Sequence, residues 1–199
     1  MKILSIDFDY FVGVTAQVRN SQFPTAEDVT DPEEIKKLWG EVVSQYPRLL
    51  NSVSVTDDYF LLQTFLERTK GHKKAIKVAE SHKEIYDFIK EQQSQSSTPL
   101  EIVNIDFHHD NYYMYGGKVT CANWLMKIGE EENLTKDNVL WVRREDSETE
   151  SLAGEFPYAM TTNIEDCLRD DYDAIFLCYS PEWTPPSLRV FFDRLVYWL

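Results

Sequence analysis

The chain has 199 residues, of which 43% are hydrophobic and 27% are charged, a composition typical of one soluble domain with a sizeable core. Asp and Glu total 34 against 20 Lys and Arg, which gives a formal charge of −14. This charge repels phosphate backbones and anionic lipid surfaces, so it argues against nucleic-acid and membrane partners and favours metal ions or substrates with amine or guanidinium groups.

Short apolar runs alternate with helical stretches, which predicts an α/β fold with a mostly parallel sheet covered on both faces. The predicted strands are Lys2–Phe8, Lys74–Ala79, Leu100–Phe107, Asn138–Val142 and Asp173–Tyr179, with Asn51–Val55 as a weaker candidate. The predicted helices are Asp31–Gln45, Asp57–Thr69, Lys83–Gln93, Trp124–Glu132 and Ser187–Trp198. Residues 144–150 are predicted to form an exposed acidic loop. We expect a single domain over residues 1–199.

Targeting signals and disulfides are not expected. No stretch approaches the roughly 20 apolar residues of a transmembrane helix, and the start of the chain does not resemble a secretory signal. The three cysteines (Cys121, Cys167 and Cys178) are far apart and form no C-x-x-C pair, so they fit neither a disulfide framework nor a thiolate zinc site. We therefore expect a cytoplasmic protein.

Carboxylates and histidines concentrate at the ends of two predicted strands, in the segments Ser5–Asp9 (SIDFD) and Asp106–Asp110 (DFHHD). Residues i and i+2 of an extended strand point the same way, and open parallel sheets bind ligands at the carboxyl ends of their strands. So many like charges require a cation, and carboxylates with imidazole suit manganese or another hard-to-borderline divalent ion. The candidate metal ligands from these segments are Asp7, Asp9, Asp106, His108 and Asp110.

The other histidines have different expected places. His82 follows the strand that ends at Ala79, so it lies at the same edge of the sheet and is a sixth candidate ligand; alone, it would be interpreted as a helix-capping or solvent-facing residue. His72 has basic neighbours and is expected in a loop. His109 faces away from His108 and is expected to pack or to support the ligands.

These motifs resemble those of the arginase (ureohydrolase) family, whose ligands come from a strand-end histidine, a D-x-H-x-D and an S-x-D-x-D. The resemblance implies a three-layer α/β/α fold and two Mn²⁺ ions. In the family the S-x-D-x-D normally follows the D-x-H-x-D, so its place at the start of this chain implies a permuted order of strands. The phrases IDFDYF, IDFHHD and SPEWTP and the short length are most similar to the small peptide arginases of ribosomal-peptide biosynthesis, which convert arginine in a precursor peptide to ornithine and release urea.

The resemblance also implies roles for the ligands. One manganese would be bound by His82 and Asp110, the other by His108 and Asp9, and both would be bridged by Asp7 and Asp106. A hydroxide held between the metals would attack the guanidinium carbon.

Three further residues are candidates for substrate binding. Glu182 resembles the family's substrate glutamate, since a carboxylate pairs bidentately with a guanidinium group; the alternative is a surface-turn glutamate, and Asp57 and Asp58 are rival anchors. Trp183 is expected to stack on the guanidinium or to pack, and Asn123 to contact the substrate or to act as a helix N-cap.

Two other function classes stay open. Arginases usually carry a proton-shuttling histidine after the D-x-H-x-D, and the corresponding stretch, Lys118–Leu125, has none. A metal-stabilised binding module for basic peptides is therefore one alternative. A zinc-dependent deacetylase-like amidohydrolase is another, although the chain lacks the paired catalytic histidines of deacetylases. The aromatic loop Tyr112–Tyr115 is expected to hold a peptide, to cover the site, or to pack on the sheet.

Overall fold

A six-stranded parallel sheet forms the centre of the structure. Its strands lie in the order β2-β8-β1-β3-β4-β7, and each neighbouring pair is parallel. These strands are β1 (Lys2–Asp7), β2 (Ala75–Ala79), β3 (Glu101–Ile105), β4 (Val139–Val142), β7 (Ala159–Thr161) and β8 (Ala174–Cys178). A separate antiparallel pair joins β5 (Glu150–Ser151) to β6 (Gly154–Glu155).

The structure is a computed structural model that describes the chain except Thr25, Glu27 and residues 72–73, 113–116 and 152–153. The predicted loop position of His72 and most of the predicted aromatic loop lie outside the described residues. Among the helices of the described part, none combines the length and the apolar character needed to cross a membrane.

Helices cover both faces of the sheet, as the predicted three-layer α/β/α class requires. They are α1 (Ala16–Gln22), α2 (Pro32–Gln45), α3 (Leu49–Ser52), α4 (Asp57–Thr69), α5 (Glu84–Ser94), α6 (Trp124–Glu131) and α7 (Arg189–Trp198). Successive residues of β1 enter different cores: Ile3 packs with α5 and α6, whereas Leu4 and Ile6 pack with α2, α4 and α7. Burial on both faces explains the continuous apolar runs of these strands.

The helix signals in the sequence are confirmed where a cap and an apolar face coincide. Asp31 caps α2, because its Oδ1 accepts a hydrogen bond from the Glu34 backbone N–H at 3.0 Å, and Pro32 is the first helical residue. The buried face of α4 comprises Tyr59, Leu62, Phe65 and Leu66.

The weaker strand prediction, Asn51–Val55, is wrong. Its first residues belong to α3, and only Val55 forms a bridge, to Val12. The segment still lies against the start of the chain, because the Gly13 N–H donates to the Ser54 carbonyl at 2.7 Å. A Cβ at Gly13 would come within 2.8 Å of that oxygen, so this close approach requires glycine.

Candidate metal centre

Four adjacent strands (β2, β8, β1 and β3) end at one edge of the sheet. Asp7 is the last residue of β1, Asp106 directly follows β3, and His82 follows β2. Because the strands are parallel, their carboxyl ends point the same way. The structure therefore brings the acidic end of the opening strand beside the two histidine-bearing segments, as the motifs predict.

The local geometry differs from the prediction, however. We expected Asp7 and Asp9 to share one extended strand, but β1 ends at Asp7 and Asp9 lies in a 3₁₀ turn over Phe8–Phe11. The Asp7 side chain caps this turn by accepting a hydrogen bond from the Asp9 N–H at 3.2 Å. Residues 106–110 likewise come after the end of β3, outside any strand. The carboxylates converge because the segments after β1 and β3 both turn at the carboxyl ends of the strands. The alternation of side chains along an extended strand is not the cause.

His82 is buried among the carboxylates of three other candidate ligands. Its Nδ1 lies 3.3 Å from Asp7 Oδ2, 3.1 Å from Asp106 Oδ2 and 2.8 Å from Asp110 Oδ2. None of these contacts has the geometry of a hydrogen bond, so Nδ1 has no such partner among the described residues. The other ring nitrogen, Nε2, lies 2.8 Å from Ser5 Oγ. With Nε2–H donating to Ser5, the Nδ1 lone pair faces the carboxylates, which is the arrangement that a metal-bound histidine adopts.

The second histidine of the site pairs with Asp9. His108 Nδ1 lies 3.1 Å from Asp9 Oδ2, and Arg19 Nη1 donates to the same oxygen at 2.9 Å. The other oxygen, Asp9 Oδ1, is buried and has no hydrogen-bond partner in the described part of the chain. A buried carboxylate oxygen without a donor is unfavourable unless a cation or water reaches it.

The carboxylates are held by neighbouring donors. Ser180 Oγ donates to Asp7 Oδ2 at 2.7 Å, and Trp124 Nε1 donates to Asp110 Oδ2 at 2.6 Å. Asp106 Oδ1 accepts a backbone N–H from two residues further on, at 2.8 Å. Asp110 and Ser180 also have left-handed backbones, with φ of 51° and 47°. Such conformations are uncommon outside glycine, and they occur often at functional sites.

The charges of the site are unbalanced without a cation. Burial raises the pKa of Asp7, and burial followed by the charge of Asp110 raises the pKa of Asp106 well above its usual range. Burial alone would lower the pKa of His82, but Asp110 and the other carboxylates raise it well above 6.5. Groups arranged in this way would share protons among themselves, and a divalent cation bound between them would displace those protons.

The ligand atoms fall into two groups within 4.8 Å of one another: Asp7 with His82 and Asp106, and Asp9 with Asp106 and His108. Asp106 belongs to both, as the predicted bridging role requires, whereas Asp7, the other predicted bridge, belongs only to the first. Asp110 is in neither group, although its carboxylate makes the closest contact with His82 Nδ1. Carboxylate oxygen and imidazole donors of this kind fit a hard or borderline divalent cation.

A cavity of about 500 Å³ opens over these ligands. Its wall includes Asp7, His82, His108 and Asp110, together with Trp183 and Arg19. The indole of Trp183 is half-buried and lies 4.8 Å, centroid to centroid, from the ring of His108. A substrate in the cavity would thus reach the ligands directly, with Trp183 at its side.

Glu182 is buried behind this wall, so the alternative of a surface-turn glutamate is wrong. Its Oε1 accepts a hydrogen bond from the Asp28 backbone N–H at 3.0 Å, and its Oε2 lacks a hydrogen-bond partner among the residues described. Burial raises the pKa of Glu182 to about 8. A cationic group that reached Oε2 would convert this carboxyl to its charged form.

Two further substrate candidates, Asn123 and Asp58, have side chains that already form hydrogen bonds within the protein. Asn123 is the N-cap residue of α6, but its side chain does not cap the helix: Oδ1 accepts from the Thr120 N–H at 2.8 Å, and Nδ2 donates to the Lys118 carbonyl at 3.0 Å. Its substrate contact stays a prediction, and its observed role is to hold this turn. Asp57 and Asp58 begin α4, where Asp58 accepts a hydrogen bond from the Tyr10 hydroxyl at 2.9 Å.

His109 packs away from the ligands, as predicted. Its Nδ1 accepts from the Asn111 N–H at 3.0 Å, and its ring centroid lies 3.9 Å from that of Tyr112 and 5.8 Å from that of Phe156. Burial lowers the pKa of His109 to about 4.

Sequence reasoning does not single out several residues that contact the ligands, among them Arg19, Ser180 and Trp124. Arg19 lies on α1, a helix that was not predicted. Ser180 sits in the quoted SPEWTP segment, where its position directly after a strand was an unused signal. Trp124 was assigned to a helix, but nothing in its local sequence indicates a bond to Asp110.

Comparisons of this chain with protein-family models, with curated proteins and with solved structures found no match.

Proposed function

We propose that this protein is a manganese-dependent amidinohydrolase that converts arginine, within a peptide, to ornithine and urea. The observation that carries the proposal is the pair of buried Asp/His groups that share Asp106, whose members Asp7, His82 and His108 line an open cavity. Buried carboxylates in this number are unfavourable unless cations bind them, and their place at the carboxyl ends of parallel strands is where α/β enzymes bind ligands.

The ligand roles follow the contacts. His82, Asp7 and Asp106 would hold one cation with support from Asp110, and Asp9, Asp106 and His108 would hold the other. Divalent cations held there would supply a nucleophile near neutral pH, because such cations lower the pKa of bound water. Ser5, Ser180 and Trp124 keep His82, Asp7 and Asp110 in orientation through their hydrogen bonds.

Glu182 is the proposed anchor for the guanidinium group. The buried Oε2 lacks a described donor, and a guanidinium N–H directed at it would supply both a hydrogen bond and the opposite charge. The reaction then adds one water across the bond between the side-chain nitrogen and the guanidinium carbon. The alkylguanidinium cation and water become an alkylammonium ion and neutral urea, so atoms and charge balance.

The acidity of the chain supports a cationic substrate. With a formal charge of −14, the protein attracts basic peptides, and the exposed Glu148 adds a negative charge at the wall of the cavity. At physiological salt this attraction acts over about 8 Å, so it helps capture at the entrance more than at a distance.

A binding module for basic peptides is the alternative, and one observation favours it. Among the described residues, the cavity wall contains no histidine besides the two candidate ligands His82 and His108. Proton transfer to the leaving amine would then depend on water or on the ligands themselves.

The test is urea release from metal-free protein supplemented with Mn²⁺, with free arginine, agmatine and arginine-containing peptides assayed in parallel. We expect urea and an ornithine-containing peptide from wild type, and none from Asp106→Asn. Asp137→Asn makes the same chemical change at an exposed position and should retain activity. Protein that binds manganese but releases no urea from any of these substrates would contradict the proposal and favour the binding module.

A further inference from the structure

Arg19 places a buried positive charge beside one half of the proposed centre. Its side chain is fully buried, and Nη1 donates to Asp9 Oδ2 at 2.9 Å while Nη2 donates to the Asp9 carbonyl at 2.8 Å. The guanidinium carbon lies 4.0 Å from the centroid of the Phe107 ring. These contacts fix the guanidinium group against a residue that we assign as a metal ligand.

This charge is permanent. Burial lowers the pKa of Arg19 and Asp9 opposes that effect, but an arginine side chain stays protonated in proteins. Its guanidinium group forms an ion pair with the Asp9 carboxylate at 2.9 Å, so a protein cation already opposes the charge of Asp9 before any metal ion binds.

The two halves of the centre differ in this respect. The hydrogen-bond donors that contact Asp7 and Asp106, within the described residues, come from neutral groups such as Ser180 and Asn104. On the Asp9 side a second arginine, Arg144, lies 5.5 Å from the centroid of the same Phe107 ring. A fixed charge near a cation in a water-excluded site repels it far more strongly than it would in water.

We infer that Arg19 makes the two cation positions unequal, so that the position at Asp7, His82 and Asp106 fills first and the position at Asp9, Asp106 and His108 fills second and more weakly. This inference rests on the proposed function, because it assumes that the centre binds two cations. Arg19 acts here through Asp9 and is a positioning residue. It would set the manganese concentration at which the complete pair forms.

The test is a manganese titration followed by electron paramagnetic resonance, which distinguishes an isolated Mn²⁺ ion from an exchange-coupled pair. For wild type we expect two binding steps whose dissociation constants differ by about tenfold or more. Arg19→Met and Arg19→Gln remove the charge and should tighten the second step by about tenfold or more, so that the coupled signal appears at lower manganese. Arg19→Lys keeps the charge and should resemble wild type, as should Arg169→Met at an exposed site.

The outcomes separate the two claims. Two wild-type steps of equal affinity, or a second step that is unchanged or weaker in the neutral variants, would overturn the inference and leave the proposed function standing. If both neutral variants fail to fold, the ratio of the two manganese dissociation constants, measured in wild type and in Arg19→Lys, still tests the inference. Wild-type protein that binds no manganese would overturn the proposed function and the inference together.

Discussion

Behind the cavity wall lies a buried carboxyl group, one of whose oxygens has no hydrogen-bond partner among the described residues. Glu182 accepts one backbone hydrogen bond, from Asp28, and its pKa is raised to about 8 by burial. Replacing such a group with a neutral one should increase the stability of the folded protein. If Glu182 also binds the substrate, the same substitution should weaken substrate binding.

Glu182→Gln should stabilise the protein at high pH and impair substrate binding. The folded state holds a proton on Glu182 up to about pH 8, whereas the unfolded chain releases it near pH 4.5. Between these two pH values the group therefore lowers the free energy of unfolding by about 1 kcal/mol per pH unit as the pH rises. We expect the variant to gain stability relative to wild type from pH 5 to pH 8, measured by denaturant unfolding, and to show a raised KM for arginine peptides. The exposed Glu41→Gln should change neither quantity. A variant with an unchanged KM would remove Glu182 from substrate binding.

Ser5→Ala tests how the ring of His82 is held. The hydroxyl lies 2.8 Å from Nε2, and loss of such a support for a metal-bound histidine typically weakens metal affinity by about 10- to 100-fold. We expect a weaker first manganese step by calorimetric titration, with the fold intact by circular dichroism. Ser97→Ala, at an exposed loop position, is the matched control. Equal affinities in both variants would contradict the assigned orientation of His82.

At the scale of elements, strands with two buried faces were predictable because their apolar runs are continuous. Helices with an apolar face, such as α2 and α4, were predictable for a similar reason. In contrast, α1 (AQVRNSQ) has few apolar residues, and it is fixed by the bond from Arg19 to Asp9. The segment 51–55 has strand-like residues, but Leu49 and Val53 are buried in the core through a helical turn, so tertiary packing overrides the local pattern.

The segment after β4, predicted as an exposed acidic loop, is anchored by Arg144. Its Nη1 donates to the Val12 carbonyl at 2.6 Å and its Nη2 to the Val14 carbonyl at 2.7 Å, next to the start of α1. Asp146 also accepts from the Ala16 N–H at 2.7 Å. The acidic residues Glu145 and Asp146 are exposed as predicted, whereas the basic residue holds the loop against the segment that leads to Arg19.

Arg144→Ala should therefore destabilise the protein by about 2 kcal/mol, because two hydrogen bonds from a charged donor are lost. Chemical denaturation measures this effect. Arg169→Ala removes an exposed i,i+4 pair with Glu165 and should change the free energy of unfolding by less than about 0.5 kcal/mol. Equal effects of the two substitutions would show that the anchor is not formed in solution.

At the scale of the whole molecule, the first strand of the chain lies inside the sheet, between β8 and β3. This order allows a motif at the start of the sequence to meet motifs around residues 82 and 106. The convergence could be predicted because parallel strands end at one edge. The same rule covers Ser180, which follows β8 and reaches Asp7 across 173 residues of sequence, but it does not cover Arg19, which lies on α1 and at no strand end.

Manganese should stabilise the entire fold. A ligand that binds only the native state adds about 2.7 kcal/mol when present at 100 times its dissociation constant. We expect a raised unfolding midpoint in differential scanning calorimetry with Mn²⁺, reversed by a chelator and absent in Asp106→Asn, since Asp106 contributes to both ligand groups. Asp137→Asn should retain the full shift. A shift of the same size in Asp106→Asn would mean that manganese binds elsewhere.

Crystallography of the manganese-loaded protein at the manganese absorption edge tests the centre most directly, because anomalous scattering locates each ion. Our account predicts two anomalous peaks, one among Asp7, His82 and Asp106 and the other among Asp9, Asp106 and His108. A map from fully loaded protein with no peak between these side chains would contradict it.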